Sequence, residues 1–106
     1  MNKKDLEHIP LLKKEGDKNR FELIVEGHVA FMDYIISKQN IIYLTHTEVP
    51  RLLEGQGVGG VLVAKVFEFV KEQGLKVAPL CPFVAGYLKR HPEMAKDFLA
   101  AGYSVG

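Results

Sequence analysis

The periodicity of apolar residues changes at Pro50, and this change restricts the chain to folds in which strands precede a long helix. Before Pro50, three segments are rich in alternating, β-branched and aromatic residues, as strands are: 20–26, 28–37 and 41–49. After Pro50, apolar residues recur at the spacing of one helix face: Val58, Val61, Leu62, Val66, Phe69 and Val70. The sequence therefore predicts a sheet followed by a helix.

The links between the predicted strands set their directions. Gly27 ends the first strand, and a polar turn at 38–40 separates the second strand from the third. Both links are short, and short links favour antiparallel pairing. Residues 6–14 are expected to add either an edge strand or an irregular lead-in.

Three further elements follow the long helix, which Gly74 is expected to end. Residues 75–80 predict a short strand, and it should run parallel to the third strand because a helix-length crossover separates the two. Pro82 begins a second helix and Pro92 closes it. A last short helix is expected over 93–101. The order β-β-β-loop-α-β-α predicts an α/β fold in which helices flank a mixed, mostly antiparallel sheet.

Length and composition fit a single domain, expected to span 1–106. The 106 residues are 47% hydrophobic and 25% charged, which is globular composition. The 14 basic and 13 acidic residues nearly balance, so no basic face for nucleic acid is expected. No apolar run reaches the roughly 20 residues of a membrane span, and a cytoplasmic location is expected. The single cysteine excludes an internal disulfide, and no metal site is expected. Four helical aromatic residues are expected in the core: Phe67, Phe69, Phe83 and Phe98.

Four glycines stand between the third strand and the long helix: Gly55, Gly57, Gly59 and Gly60. Glycine lets the backbone approach a ligand closely and adopt conformations that other residues avoid. The helix that follows directs unpaired amides and the positive end of its dipole into this loop. These features predict a phosphate-binding loop over 55–60 rather than only a flexible turn.

Gly55, Gly57 and Gly60 also satisfy the dinucleotide pattern G-x-G-x-x-G, but the context of that pattern differs. In dinucleotide-binding folds a strand runs directly into the first glycine, whereas residues 50–54 intervene here. An acidic residue should end the next strand, and this strand instead ends in Leu80-Cys81-Pro82. The early strands also predict antiparallel rather than parallel pairing. NAD binding is therefore the weaker interpretation.

The segment Val49-x-Pro-x-x-x-Gly55-x-Gly57-x-Gly59 resembles motif A of the GNAT superfamily of N-acetyltransferases. A second segment, from Leu80-Cys81-Pro82-Phe83 to Glu93, resembles the very small, single-domain branch of that family. The resemblance covers about residues 20–95. It implies an antiparallel sheet leading into a pyrophosphate-binding loop and a long helix, with acetyl-CoA as the cofactor.

The resemblance also implies where acetyl-CoA binds. The pantetheine arm should pair like a strand with the backbone near Val49, which the following proline holds extended. The pyrophosphate should lie on the loop amides: Gly55, Gln56, Gly57, Val58, Gly59 and Gly60. Further contacts should follow the short strand: Cys81, Pro82, Phe83, Tyr87, Lys89 and Arg90. Glu54 departs from the family, which usually has a basic residue there, so phosphate binding is left to backbone amides.

Acetyl transfer to an amine requires a base for the amine proton and a proton for the departing thiolate. His46 and Glu48 lie two residues apart on a strand, so both should point to one face near the cofactor, and either is a candidate base. Tyr87 corresponds to a position where such enzymes often place the tyrosine that protonates the thiolate. Cys81 precedes a helix N-terminus and is expected either to line the site or to act as a covalent nucleophile.

Two functions remain open at this point. The first is an acetyl-CoA-dependent N-acetyltransferase that acts on an unidentified small-molecule or peptide amine by direct attack in a ternary complex. The second is a module that binds coenzyme A without catalysis and acts through a protein partner. The short chain and Glu54 favour the second function.

Overall fold

The computed structural model describes residues 3–105 and contains a five-stranded sheet with helices on its apolar face. The helices and strands follow in this order: α1 (Lys3–Glu7), β1 (Leu12–Lys14), β2 (Asn19–Val25), β3 (His28–Ile36), β4 (Ile41–Glu48), α2 (Val58–Gln73), β5 (Lys76–Pro79), α3 (Pro82–Arg90) and α4 (Pro92–Phe98). A single 3₁₀ turn, Arg51–Leu53, lies between β4 and α2.

The spatial order of the strands follows the chain, β1-β2-β3-β4-β5. The first four strands pair antiparallel, and β5 joins β4 in parallel, so the expected mixed, mostly antiparallel sheet is confirmed. The link between β2 and β3 has only two residues, Glu26 and Gly27, with φ of 50° and 79°. Positive φ at both positions matches a tight hairpin to the twist of its strands.

One face of the sheet carries the core. Strand β2 buries every second residue, Phe21, Leu23 and Val25, and β3 adds Met32 in register with Phe21. Helix α2 covers this face with its own apolar stripe: Val58, Val61, Leu62, Val63, Val66, Phe67 and Val70. Burial of these side chains, worth about 1.5–3 kcal/mol for each large one, fixes α2 across the strands.

The helix boundaries agree with the turn residues in the sequence. Gly74 ends α2 in the left-handed conformation, and its amide donates to the carbonyl oxygens of Lys71 and Val70. Helix α4 is shorter than the range 93–101 expected for it. At the N-terminus, 6–14 is not one strand: Leu6 belongs to α1 and to the core, and only Leu12–Lys14 pair with β2.

Strand β4 contains an irregularity that positions the site. Asp33 pairs with His46 while Tyr34 pairs with Leu44, so Thr45 is an extra residue, a β-bulge. The pairing of β4 with β5 ends at Leu44↔Pro79, whereas β4 continues to Glu48. Beyond Leu44 the two strands therefore leave an opening between them. Among residues 3–105, no helix is both long and apolar enough to cross a membrane.

Candidate active site

The four loop glycines differ in backbone conformation and in the space around them. Gly55 and Gly57 have φ of 80° and 81°, a conformation that side-chain-bearing residues rarely adopt. Gly60 has an ordinary helical conformation, and a Cβ there would meet no protein atom within 4 Å. Gly59 is different because the ring of Phe83 occupies the space that its Cβ would need. Three glycines are thus left open toward solvent, and one serves a packing contact.

The first turn of α2 leaves backbone donors free. Gly57 is the N-cap residue, and no side chain caps the helix. The first intrahelical bond runs from the Val61 amide to the Gly57 carbonyl oxygen, at 3.1 Å. The amides of 58–60 therefore have no carbonyl acceptor one turn earlier in the helix. Such amides, at the positive end of the helix dipole, bind anions.

A cavity of about 640 Å³ lies beside this turn. Gly57 and Gly60 form one wall, and Tyr87 and Arg90 of α3 form the opposite wall. Two cations, Lys65 and Arg90, and two carboxylates, Glu7 and Glu68, also line the cavity. The fold thus brings loop glycines and basic side chains from distant parts of the sequence to one space.

Lys65 was not singled out from the sequence, because a lysine on a helix is usually a solvent-exposed side chain. Its Nζ donates to the carbonyl oxygen of Glu7, at 2.8 Å, and this bond holds it against α1 at the cavity wall. Arg90 lines the cavity, whereas Lys89 is exposed and does not. Pro82 and Phe83 also lie outside this lining, and Phe83 contacts Gly59 instead.

Tyr87 is half-buried between two aromatic rings. Its ring lies 4.3 Å from that of His91 and 6.0 Å from that of Phe67, centroid to centroid. These contacts hold the phenol at the cavity wall, opposite the loop. Gln56, by contrast, turns its side-chain amide back to the Leu52 carbonyl oxygen, at 3.2 Å.

The opening between β4 and β5 is spanned by a polar contact. The Thr47 hydroxyl oxygen lies 3.2 Å from the Cys81 sulfur, and Cys81 is only 4% exposed. The amides of Leu80 and Cys81 both donate to the Leu44 carbonyl oxygen, which closes the lower end of the opening. Val49, which follows β4 at the upper end, is half-buried. Thr47 had no recognisable signal in the sequence.

The bulge at Thr45 explains why Thr47 faces inward. Leu44 points into the core, and strict alternation would point residues 46 and 48 inward too. The extra residue reverses this alternation, so His46 and Glu48 lie on the open face and Thr47 faces Cys81. His46 and Glu48 share a face as expected, and His46 Nε2 lies 3.3 Å from Glu48 Oε1.

Two residues missed in the sequence adjoin His46 and Glu48. Arg20 of β2 forms a two-bond ion pair with Asp33 of β3, which is cross-strand from His46. The hydrogen bonds that Arg20 donates to Asp33 are the main cause that raises the pKa of the Arg20 guanidinium, and the charges of Asp33, Glu22 and Glu48 add to it. Ionic residues spread over three strands carry no short-range sequence signal, since only the sheet register brings them together.

Comparisons with known proteins place the chain in a family. A sequence model of the family described as GCN5-related N-acetyl-transferase matches residues 20–98. The solution NMR structure of a GCN5-like protein from Staphylococcus aureus, described as a candidate N-acetyltransferase, superposes with a TM-score of 0.64 at 29% sequence identity. The superposition covers 88% of this chain and 92% of that one. A search of curated proteins found no match.

The family model spans most of the chain, from Arg20 in β2 to Phe98 in α4, and includes the glycine loop and the segment after β5. The structural neighbour shares the mixed sheet and its helices over nearly the whole of both chains. The chain therefore belongs to the GCN5-related N-acetyltransferase family, and its enzyme class is acetyltransferase.

Proposed function

We propose that this protein is an acetyl-CoA-dependent N-acetyltransferase that acts on an amine by direct attack in a ternary complex. The observation that most supports acetyl-CoA binding is the cavity between Gly57 and Gly60 on one side and Tyr87 and Arg90 on the other. The free amides of the first turn and the open space at Gly57 and Gly60 suit a diphosphate. Lys65 and Arg90 add positive charge, and the carboxylates of Glu7 and Glu68 on the same lining offset part of it. Backbone amides offset the missing basic residue at Glu54.

The proposed binding residues divide by the part of the coenzyme they hold. The amides of 56–60 would hold the diphosphate, and Lys65 and Arg90 would balance its remaining charge. The pantetheine arm would follow the unpaired edge of β4 toward Val49, through the opening beyond Leu44. This edge has backbone groups left without a strand partner, which an extended amide-bearing chain satisfies.

The coenzyme supplies an acetyl group activated as a thioester. In the proposed reaction the C–N bond to the amine forms, the C–S bond breaks, and the amine loses one proton. His46 and Glu48, exposed and 3.3 Å apart, would take that proton. Tyr87 would give a proton to the departing thiolate.

Cys81 is proposed to line the site rather than to act as nucleophile. Its sulfur is nearly inaccessible and lies 3.2 Å from the Thr47 hydroxyl. A buried thiol of this kind is usually inert, whereas reactive cysteines are partly exposed in electropositive surroundings. Direct attack by the amine needs no such group.

Turnover of acetyl-CoA tests the proposal. Thiol release is measured with the purified protein alone and with a panel of small-molecule and peptide amines. Release that rises with an amine supports the enzyme. If calorimetry shows tight binding of coenzyme A but no amine in the panel causes thiol release, the enzyme is rejected. The protein would then be the non-catalytic module that acts through a protein partner. Thermal stabilisation by NAD but not by coenzyme A would favour the dinucleotide interpretation.

A further inference from the structure

We propose that Arg20 and Asp33 are a positioning pair that holds His46 and Glu48 in place to receive the proton of the amine. This inference rests on the proposed function and assigns a role to two residues outside the coenzyme site. Neither residue would touch the substrate; both would act through the side chains packed against them.

The geometry of the Arg20–Asp33 ion pair fixes the orientation of the guanidinium. Arg20 Nε donates to Asp33 Oδ1 at 2.7 Å, and Arg20 Nη2 donates to Asp33 Oδ2 at 3.2 Å. Among residues 5–105, whose side chains the structure describes, Asp33 is the one buried charged residue, at 8% exposure. A two-bond pair of this kind fixes the plane of the guanidinium as well as its position.

The fixed guanidinium supports an aromatic ring. Arg20 Cζ lies 3.6 Å from the centroid of the Phe31 ring, and that ring lies 6.0 Å from the imidazole of His46. Cross-strand pairing completes the arrangement, since Asp33 faces His46 and Phe31 faces Glu48. The four side chains of Arg20, Phe31, His46 and Glu48 thus form one connected layer on the open face.

The same aspartate also anchors the bulge. Its backbone carbonyl oxygen accepts a hydrogen bond from the Thr45 hydroxyl at 3.3 Å. Thr45 is the extra residue that turns His46 and Glu48 onto the open face. Asp33 therefore contacts both the residue that sets their direction and the residue that supports the Phe31 ring.

The pair contributes to stability as well as to orientation. Asp33 is buried and held by two bonds, so a variant that leaves its carboxylate without a partner should also be less stable. Carboxylate and imidazole groups that receive a proton depend strongly on position: a misplacement of about 1 Å can cost about 100-fold in rate. Loss of placement should therefore appear in the kcat of the folded variants, separately from any loss of stability.

Three variants test the role: Asp33→Asn, Arg20→Gln and Arg20→Lys. Each removes the two-bond geometry, and Arg20→Lys does so while it keeps the charge and should fold most readily. Glu15→Gln is the matched control, because it breaks an exposed ion pair that includes neither Arg20, Asp33 nor His46. That pair joins Lys13 Nζ to Glu15 Oε1 at 3.3 Å. The readouts are kcat and KM for acetyl-CoA, and the NMR contact between the Phe31 and His46 rings in the protein alone.

We expect kcat to fall by about 10- to 100-fold in the three variants with little change in KM for acetyl-CoA, because the coenzyme cavity is untouched. The ring contact should weaken in the same variants, and Glu15→Gln should behave as wild type. Wild-type kcat in folded Arg20→Lys, or a KM that rises as kcat falls, would overturn the positioning role. A wild-type protein that releases no thiol with any amine would instead overturn the proposed function, and this inference with it.

Discussion

The ring of Phe83 lies in the space that a Cβ at Gly59 would need, and it thereby joins the first turn of α3 to the first turn of α2. The neighbouring Gly60 has no such contact and faces the cavity beside Tyr87 and Arg90. The two adjacent glycines therefore have different roles. Gly59 allows α2 and α3 to pack closely, and Gly60 leaves room for a ligand.

This difference predicts opposite effects on stability. Gly60→Ala should raise the free energy of unfolding by up to about 1 kcal/mol, because alanine is favoured over glycine in a helix and nothing obstructs its methyl group. Gly59→Ala should be less stable than Gly60→Ala by about 1–3 kcal/mol, because the Phe83 ring must move. Urea unfolding of both variants measures the difference. Adding Phe83→Ala to Gly59→Ala should remove most of the overpacking, and equal stabilities of the two glycine variants would contradict the packing role.

Gly60→Ala should also weaken binding of coenzyme A. Its methyl group projects into the proposed diphosphate site, so the dissociation constant should rise by tenfold or more, equivalent to about 1.4 kcal/mol. Calorimetry with coenzyme A measures this change. The variant is informative because the protein itself should be at least as stable as wild type; undiminished affinity would place the diphosphate elsewhere.

Cys81→Ser should retain thiol release with an amine at close to the wild-type rate. Serine preserves a hydrogen-bonding group beside the Thr47 hydroxyl, and direct attack uses no cysteine. The assay is paired with mass spectrometry of the wild-type protein after incubation with acetyl-CoA. Loss of turnover in a folded Cys81→Ser variant, together with an acetyl adduct on Cys81 that forms as fast as turnover, would establish the covalent route instead.

The burial of Tyr34 predicts that the folded protein loses stability in alkaline solution. Burial, with a smaller contribution from the charge of Glu15, raises the pKa of this phenol above its ordinary value of 10.0. Above pH 10 the unfolded chain releases the Tyr34 proton while the folded protein keeps it, so the free energy of unfolding falls as pH rises. Unfolding experiments on either side of pH 10 should show this fall, and it should be smaller in Tyr34→Phe. An unchanged slope in Tyr34→Phe, compared with Tyr103→Phe as control, would contradict the assignment.

Much of the fold was predictable because local chemistry sets it. Gly74 ends α2 and Pro82 begins α3 as expected, since each residue has few alternatives at its position. The alternation in β2 agreed with its buried face, whereas β3 buries 32–34 in succession and exposes Val29 and Ile36. The short helix Lys3–Glu7 was missed, because five residues give too little periodicity to recognise.

The site was less predictable where it depends on register and tertiary contact. The extra residue Thr45 reverses the faces of His46 and Thr47, and one inserted residue leaves no trace in composition. Phe83 was wrongly expected in the core: it is 40% exposed, whereas Phe67 is 2% exposed. Its ring packs on Gly59 from a different helix, a contact that only the folded chain reveals.

The most direct test of the central claim is an NMR titration of the loop amides with coenzyme A and, separately, with pantetheine, which lacks the diphosphate. The amide signals of Gly57, Val58, Gly59 and Gly60 should shift strongly with coenzyme A and little with pantetheine, because the first turn of α2 is proposed to bind the diphosphate. If these four signals do not move when the protein is saturated with coenzyme A, the first turn of α2 does not bind the diphosphate.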